Sequence, residues 1–99
     1  MTVNGNVAHV ALRGELDLVG ATGVDRELGD AMARGVDALV VHLDVVTFID
    51  SSGLRALLEP TRLAERCGVS LKILPGPAHV MDVVEAAGLS GRLPFVGYP

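Results

Sequence analysis

A carboxylate and two hydroxyls stand in a row at Asp50-Ser51-Ser52, with Gly53 directly behind them. The row follows the apolar run Val45 to Ile49 and precedes a helical pattern that opens near Leu54. A strand-to-helix junction of this kind leaves backbone N–H groups unpaired and carries a partial positive charge. Two kinds of chemistry fit there. Asp50 or Ser51 can cap the helix, a contribution of about 1 kcal/mol. A hydroxyl can also be held out for another molecule to read or modify. One cap requires neither two consecutive serines nor a glycine after them, and Gly53 costs up to about 1 kcal/mol of helix propensity. A missing side chain at Gly53 leaves Ser52 uncovered, which suits a hydroxyl open to a visitor.

Other chemistries lack their residues. Neither a G-x-x-x-x-G-K-[ST] phosphate loop nor a G-x-G-x-x-G fingerprint occurs. A serine nucleophile elbow needs G-x-S-x-G, whereas Asp50 stands two residues before Ser52 and no His is placed as its base. Cys67 stands alone and His9, His42 and His79 are scattered, so they read as packed or surface side chains rather than metal ligands. No catalysis, metal or cofactor is expected.

The elements that must position the turn follow from composition and periodicity. The 99 residues are one domain's worth, residues 1–99, and are 49% hydrophobic but only 3% aromatic. Such a core must be built from Val, Leu, Ile and Ala, which suits a parallel sheet covered by helices. A net charge of −4 repels phosphate backbones and anionic lipid, so neither nucleic acid nor a membrane surface is an expected partner. One Cys allows no internal disulfide, consistent with a reducing cytoplasm. The N-terminus shows no signal-peptide pattern, and no apolar run approaches the roughly 18 residues that cross a bilayer.

Along the chain, Val3-Asn4-Gly5-Asn6-Val7 predicts a hairpin with Asn-Gly in a type I′ turn. Val7 to Leu12 predicts a strand that Gly14-Glu15-Leu16-Asp17 closes. Ala21 to Ala33 predicts a helix burying Val24, Leu28 and Ala31/Met32, stopped by Gly35. Ala38 to Leu43 predicts a strand buried on both faces, which Val45 to Ile49 extends to the serine turn. A helix over Ser52 to Arg66 presents Leu54, Leu57, Leu58, Thr61 and Ala64 on one side, with a kink at Pro60 and a stop at Gly68. Val69 to Leu74 is a strand, Pro77 opens a helix bearing Val80, Val83, Val84 and Ala87, and Leu93 to Val96 is a short last strand. The alternation implies an α/β fold: a mixed, mainly parallel sheet of four to five strands packed by three to four helices. No internal repeat is apparent.

The segment Phe48-Ile49-Asp50-Ser51-Ser52-Gly53-Leu54 resembles the signature of STAS domains, in particular the bacterial anti-sigma factor antagonists. Gly14-Glu15-Leu16-Asp17 resembles that family's second motif, and Ala87-Gly88-Leu89 matches its late turn. The resemblance spans nearly the whole chain. It implies a STAS-type fold and a partner-switching role without enzymatic activity. An antagonist of this family binds an anti-sigma factor that is itself a serine/threonine kinase, and so frees a sigma factor. The kinase then phosphorylates the second serine of the turn, and a PP2C-type phosphatase restores it. Carried onto this chain, the acceptor is Ser52. Asp17, Asp50, Ser51, Ser52, Gly53 and Leu54 form the partner-binding surface, with Asp50 and Ser51 shaping the turn and Gly53 giving the kinase access; Asp17 reads equally as a loop carboxylate that holds the turn after it. The implied setting is the cytoplasm, and the free protein is expected as a monomer or weak dimer.

Two other readings stand beside this one. The chain could be a STAS subunit of an ABC or permease transport complex, without phosphorylation. The serine-rich helix N-terminus could also bind a nucleotide or another anion. The chain departs from the family in having only Met1 to Val3 before the Asn-Gly turn and in ending at Pro99 without a further helix. Gly20 also stands where a capping Thr or Ser is common, so a loose start is expected for the first helix.

Overall fold

The computed structural model describes residues 1–97, and within them the side chains of Leu18, Ala21 and Thr22 lie outside the description. The order is β1 (Thr2–Asn4), β2 (Val7–Leu16), α1 (Leu18–Ala33), β3 (Ala38–Ile49), α2 (Ser51–Cys67), β4 (Ser70–Leu74) and α3 (Ala78–Ala86). The four strands form one sheet in the order β1-β2-β3-β4. β1 is antiparallel to β2, and β2, β3 and β4 are mutually parallel. The mixed, mainly parallel sheet expected from the alternation is therefore present, with four strands and three helices.

Aliphatic alternation builds the core. Ala8, Val10 and Leu12 of β2, Leu39, Val41 and Leu43 of β3, and Leu71 and Ile73 of β4 are buried in register with one another. Val24, Leu28 and Ala31 of α1, Leu54, Leu57 and Ala64 of α2, and Val80 and Val84 of α3 join the same cluster. Helices thus cover one face of the sheet. The other phase of each strand is half-buried or exposed, including His9, Ala11, Val40, His42 and Lys72. This corrects the expectation that Ala38 to Leu43 is buried on both faces. An unbroken aliphatic run permits two-sided burial but does not require it.

Two local expectations also change. The hairpin loop is Gly5-Asn6, between the partners Asn4 and Val7, and Gly5 has φ +63° while Asn6 does not have positive φ. That sign pattern belongs to a type II′ turn, in which glycine takes the first central position, and not to type I′. Leu93 to Val96 forms no strand of its own. It meets β4 through a single parallel bridge between Phe95 and Ile73, held by Ile73 N–H to the Pro94 carbonyl at 2.9 Å.

β3 is longer than its neighbours need. Its register with β2 advances three residues against two between His42 and Val45, and two against one between Val46 and Phe48. These bulges shift the buried positions from every second residue to Leu43, Val46 and Ile49. They carry the strand past the end of β4, where His79 of α3 donates from Nε2 to the Thr47 carbonyl at 2.8 Å.

α2 runs unbroken through Pro60, which is buried. Proline has no N–H to give the Ala56 carbonyl, and its ring crowds the turn before it. In that same turn Thr61, itself buried, donates its hydroxyl to the Leu57 carbonyl at 2.7 Å. The hydroxyl adds a donor where the proline removes one. We expect Thr61→Val to lower stability by about 1 kcal/mol, a buried hydrogen bond lost at nearly constant volume, read as a lower midpoint of urea unfolding.

Candidate functional site

The site forms where the parallel strands β2 and β3 end side by side, Leu16 opposite Ile49. Asp17 follows the first and Asp50 the second, and each opens a helix. Asp50 is the N-cap of α2, with extended backbone angles of −129° and −170°. Its Oδ1 accepts from Ser52 N–H at 2.9 Å and Gly53 N–H at 3.1 Å. Its carbonyl accepts from Leu54 N–H at 3.0 Å, and its own N–H reaches the Leu16 carbonyl at 3.3 Å. Asp17 repeats the arrangement on α1, accepting from Val19 N–H at 3.1 Å and Gly20 N–H at 3.0 Å. Asp17 therefore caps α1, which begins at Leu18, and the helix does not depend on a capping Thr or Ser at the position of Gly20.

The two junctions share a pattern, Asp17-Leu18-Val19-Gly20 and Asp50-Ser51-Ser52-Gly53. In each, Asp is the cap and Gly the third helical residue. The glycines answer to packing. A Cβ on Gly53 would lie 2.1 Å from the Leu16 carbonyl oxygen, and one on Gly20 would lie 2.4 Å from that of Glu15. Both are distances that real side chains do not adopt. Gly53 is buried, and so is Leu54 at 3% exposure. This corrects two of the partner-surface residues. Leu54 is a core side chain closed to a docking protein. Gly53 is absent from the surface as well, and its lack of a side chain is required inside the molecule.

Asp17, Asp50, Ser51 and Ser52 come together at the end of the sheet. Ser51 is exposed and Ser52 half-buried, so Ser52 is not sealed in the core. Among the described residues neither hydroxyl makes a hydrogen bond within the protein. Two apolar side chains at this end were not singled out from the sequence. Val19, which holds in α1 the place Ser52 holds in α2, is 83% exposed. Phe48 of β3, paired with Glu15, is 47% exposed. The Asp-x-x-Gly repeat would have pointed to Val19. Phe48 shares the even-numbered phase of Val40 and His42, and the two bulges of β3 cancel to leave it on that open side. Among the described residues no group of three His, Cys, Asp or Glu side chains is placed to hold a metal ion.

The anion-binding reading of the helix N-terminus finds little to use. The second and third amides of α2 are taken by the Asp50 carboxylate, which already places a negative charge at the positive end of the helix.

The close contact and the cap make separate predictions. Gly53→Ala should destabilise the fold by about 2 kcal/mol or more, because backbone must move to relieve the clash with the Leu16 carbonyl. Asp50→Ala should cost about 1 kcal/mol through the lost cap alone. Thermal unfolding followed by circular dichroism ranks the two, and an unchanged Gly53→Ala protein would contradict the packing role.

Comparison with known proteins agrees with this architecture. The family model described as Mlab, STAS domain matches residues 2–97. The chain is 33% identical over 85 residues to the anti-sigma-F factor antagonist RsfB of Mycobacterium tuberculosis, across 78% of this chain and 67% of RsfB. An anti-sigma factor antagonist from Mycobacterium paratuberculosis superposes with a TM-score of 0.84 at 22% identity, covering 98% of this chain and 82% of that one. The antagonist SpoIIAA in its unphosphorylated form superposes at 0.77, again at 22% identity, over 97% of this chain and 84% of its own. The phosphorylated form of SpoIIAA, described as a Bacillus cell fate determinant, gives 0.70 at 22% identity, over 97% of this chain and 87% of its own. With one family model covering almost every described residue and both signature turns interlocked at the end of its sheet, this chain belongs to the STAS domain family.

Proposed function

We propose that the protein is an anti-sigma factor antagonist of the bacterial cytoplasm, that it binds an anti-sigma serine/threonine kinase, and that phosphorylation of Ser52 ends the binding. A PP2C-type phosphatase resets it, and the chain itself catalyses nothing. The observation that carries the reading is the state of Ser52. Its hydroxyl is accessible and has no hydrogen-bond partner among the described residues, on a helix whose second and third amides are already occupied by the Asp50 carboxylate. The names of the relatives support the reading: RsfB is an anti-sigma-F factor antagonist, and SpoIIAA exists in both phosphorylated and unphosphorylated forms.

The physics of the switch follows from the cap. A phosphoryl group brings roughly −1.5 to −2 charges and three acceptor oxygens. It cannot fold back onto the amides of Ser52 and Gly53 without displacing the Asp50 carboxylate. The dianion must therefore point outward beside Asp50 and near Asp17, where a docked partner has to desolvate it. A loss of about 3 kcal/mol weakens binding roughly a hundredfold, enough to exchange partners. Val19 and Phe48 add the apolar area that such docking needs.

The test is a pull-down from cells of the source bacterium, paired with a kinase assay. Wild type and Ser52→Ala should retain a soluble kinase of the anti-sigma type, and Ser52→Asp should lose it while unfolding at a similar temperature. Phosphate found on Ser51, or co-purification with a transport ATPase instead of the kinase, would overturn the reading. Val19→Asp should weaken the complex at least about tenfold without changing the fold, since it places a charge in a desolvated apolar contact.

A further inference from the structure

The open face of the sheet carries two of the three histidines. His9 of β2 pairs with Val40 and His42 of β3 pairs with Ala11, so the two imidazoles are diagonal neighbours on adjacent strands. His9 Nδ1 lies 3.0 Å from His42 Nε2, with ring centroids 5.3 Å apart and planes inclined by 39°. Both rings are half-buried, against a sheet floor that holds them in place. They line an open groove of about 720 Å³, with Glu15, Asp44, Glu27 and Arg13 around them.

The pairing has a consequence for metal binding. Two ring nitrogens 3.0 Å apart can share one proton, or they can share one metal ion. Bonds of about 2.0–2.1 Å from two imidazole nitrogens at this separation meet at about 91–97°, near the cis angle of square-planar and octahedral ions. A tetrahedral ion would want the nitrogens about 3.3 Å apart. From this bite we propose that His9 and His42 form a two-nitrogen site for a divalent transition metal of cis-coordinating geometry, Cu²⁺ or Ni²⁺ ahead of Zn²⁺. On binding, the ring that carried the shared proton releases it and takes one up from solvent on its other nitrogen, so both rings stay neutral and each gives one lone pair to the metal. Among the described residues no third His, Cys, Asp or Glu joins the pair, so the remaining positions face the groove and take water. Glu15, Glu27 and Asp44 against Arg13 and the Met1 terminus leave a net negative charge around the groove, which favours a cation. The site stands apart from Ser52 in sequence and in the sheet, and it does not depend on the proposed function.

The test uses the full ¹⁵N-labelled chain, titrated in turn with Cu²⁺, Ni²⁺ and Zn²⁺. In the wild type, Cu²⁺ or Ni²⁺ at substoichiometric ratio should broaden the ring ¹⁵N signals of His9 and His42 before that of His79, which serves as an internal control on α3. Calorimetry should give one site, and His9→Gln and His42→Gln should each lower its affinity at least about tenfold, whereas His79→Gln should not. The metal should raise the unfolding temperature of wild type and not of the two variants. Broadening that begins elsewhere, such as at the terminal amine, would overturn the proposal. So would an affinity unchanged in the double variant, or no binding at all. The wild-type ring signals carry the result even where a variant folds poorly.

Discussion

The contact on which the site depends is the approach of the Gly53 backbone to the carbonyl oxygen of Leu16. Only hydrogen at the α-carbon permits it, since a Cβ would stand 2.1 Å from that oxygen. The approach brings α2 down onto the end of β2 and seats Asp50, whose N–H reaches the same carbonyl at 3.3 Å. Asp50 then turns its carboxylate into the first turn of the helix. Gly20 makes the corresponding approach to Glu15, and Gly76 to Leu43. Strand end and helix start are thus packed through glycine at two places, Gly53 and Gly20, side by side at the end of the sheet.

That packing decides the electrostatics of the turn. A helix N-terminus attracts anions through its free amides, and here a resident carboxylate takes the second and third of them. Ser51 and Ser52 therefore lie on an end already neutralised, with Asp17 capping the neighbouring helix in the same way. A hydroxyl in this place is neither needed by the fold nor buried by it. A charge added to it meets like charge at Asp50 and not a vacant anion site. The exposure of Val19 and Phe48 around it is more apolar surface than the fold requires at one end of so small a sheet.

The two faces of the sheet divide the remaining work. Helices close one face with a core in which buried residues from every strand but β1 touch residues from all three helices. The other face keeps polar side chains, and the histidine pair lies there because register, not sequence proximity, joins residues 33 apart.

Element order, the parallel sheet, the helix stripes of Leu28, Leu57 and Val84, and the stops at Gly35 and Gly68 were legible in the sequence, because each follows from local periodicity or backbone preference. The serine turn was legible as well, as an excess of oxygen-bearing side chains over what one cap requires. Tertiary structure alone decided the rest. It made Gly53 a packing necessity, left one face of β3 open and put two bulges into that strand. These outcomes depend on which strand end lies beneath which helix and on how many residues one strand spends against another. Those quantities are set by contacts between segments far apart in the chain, so no local window of sequence contains them.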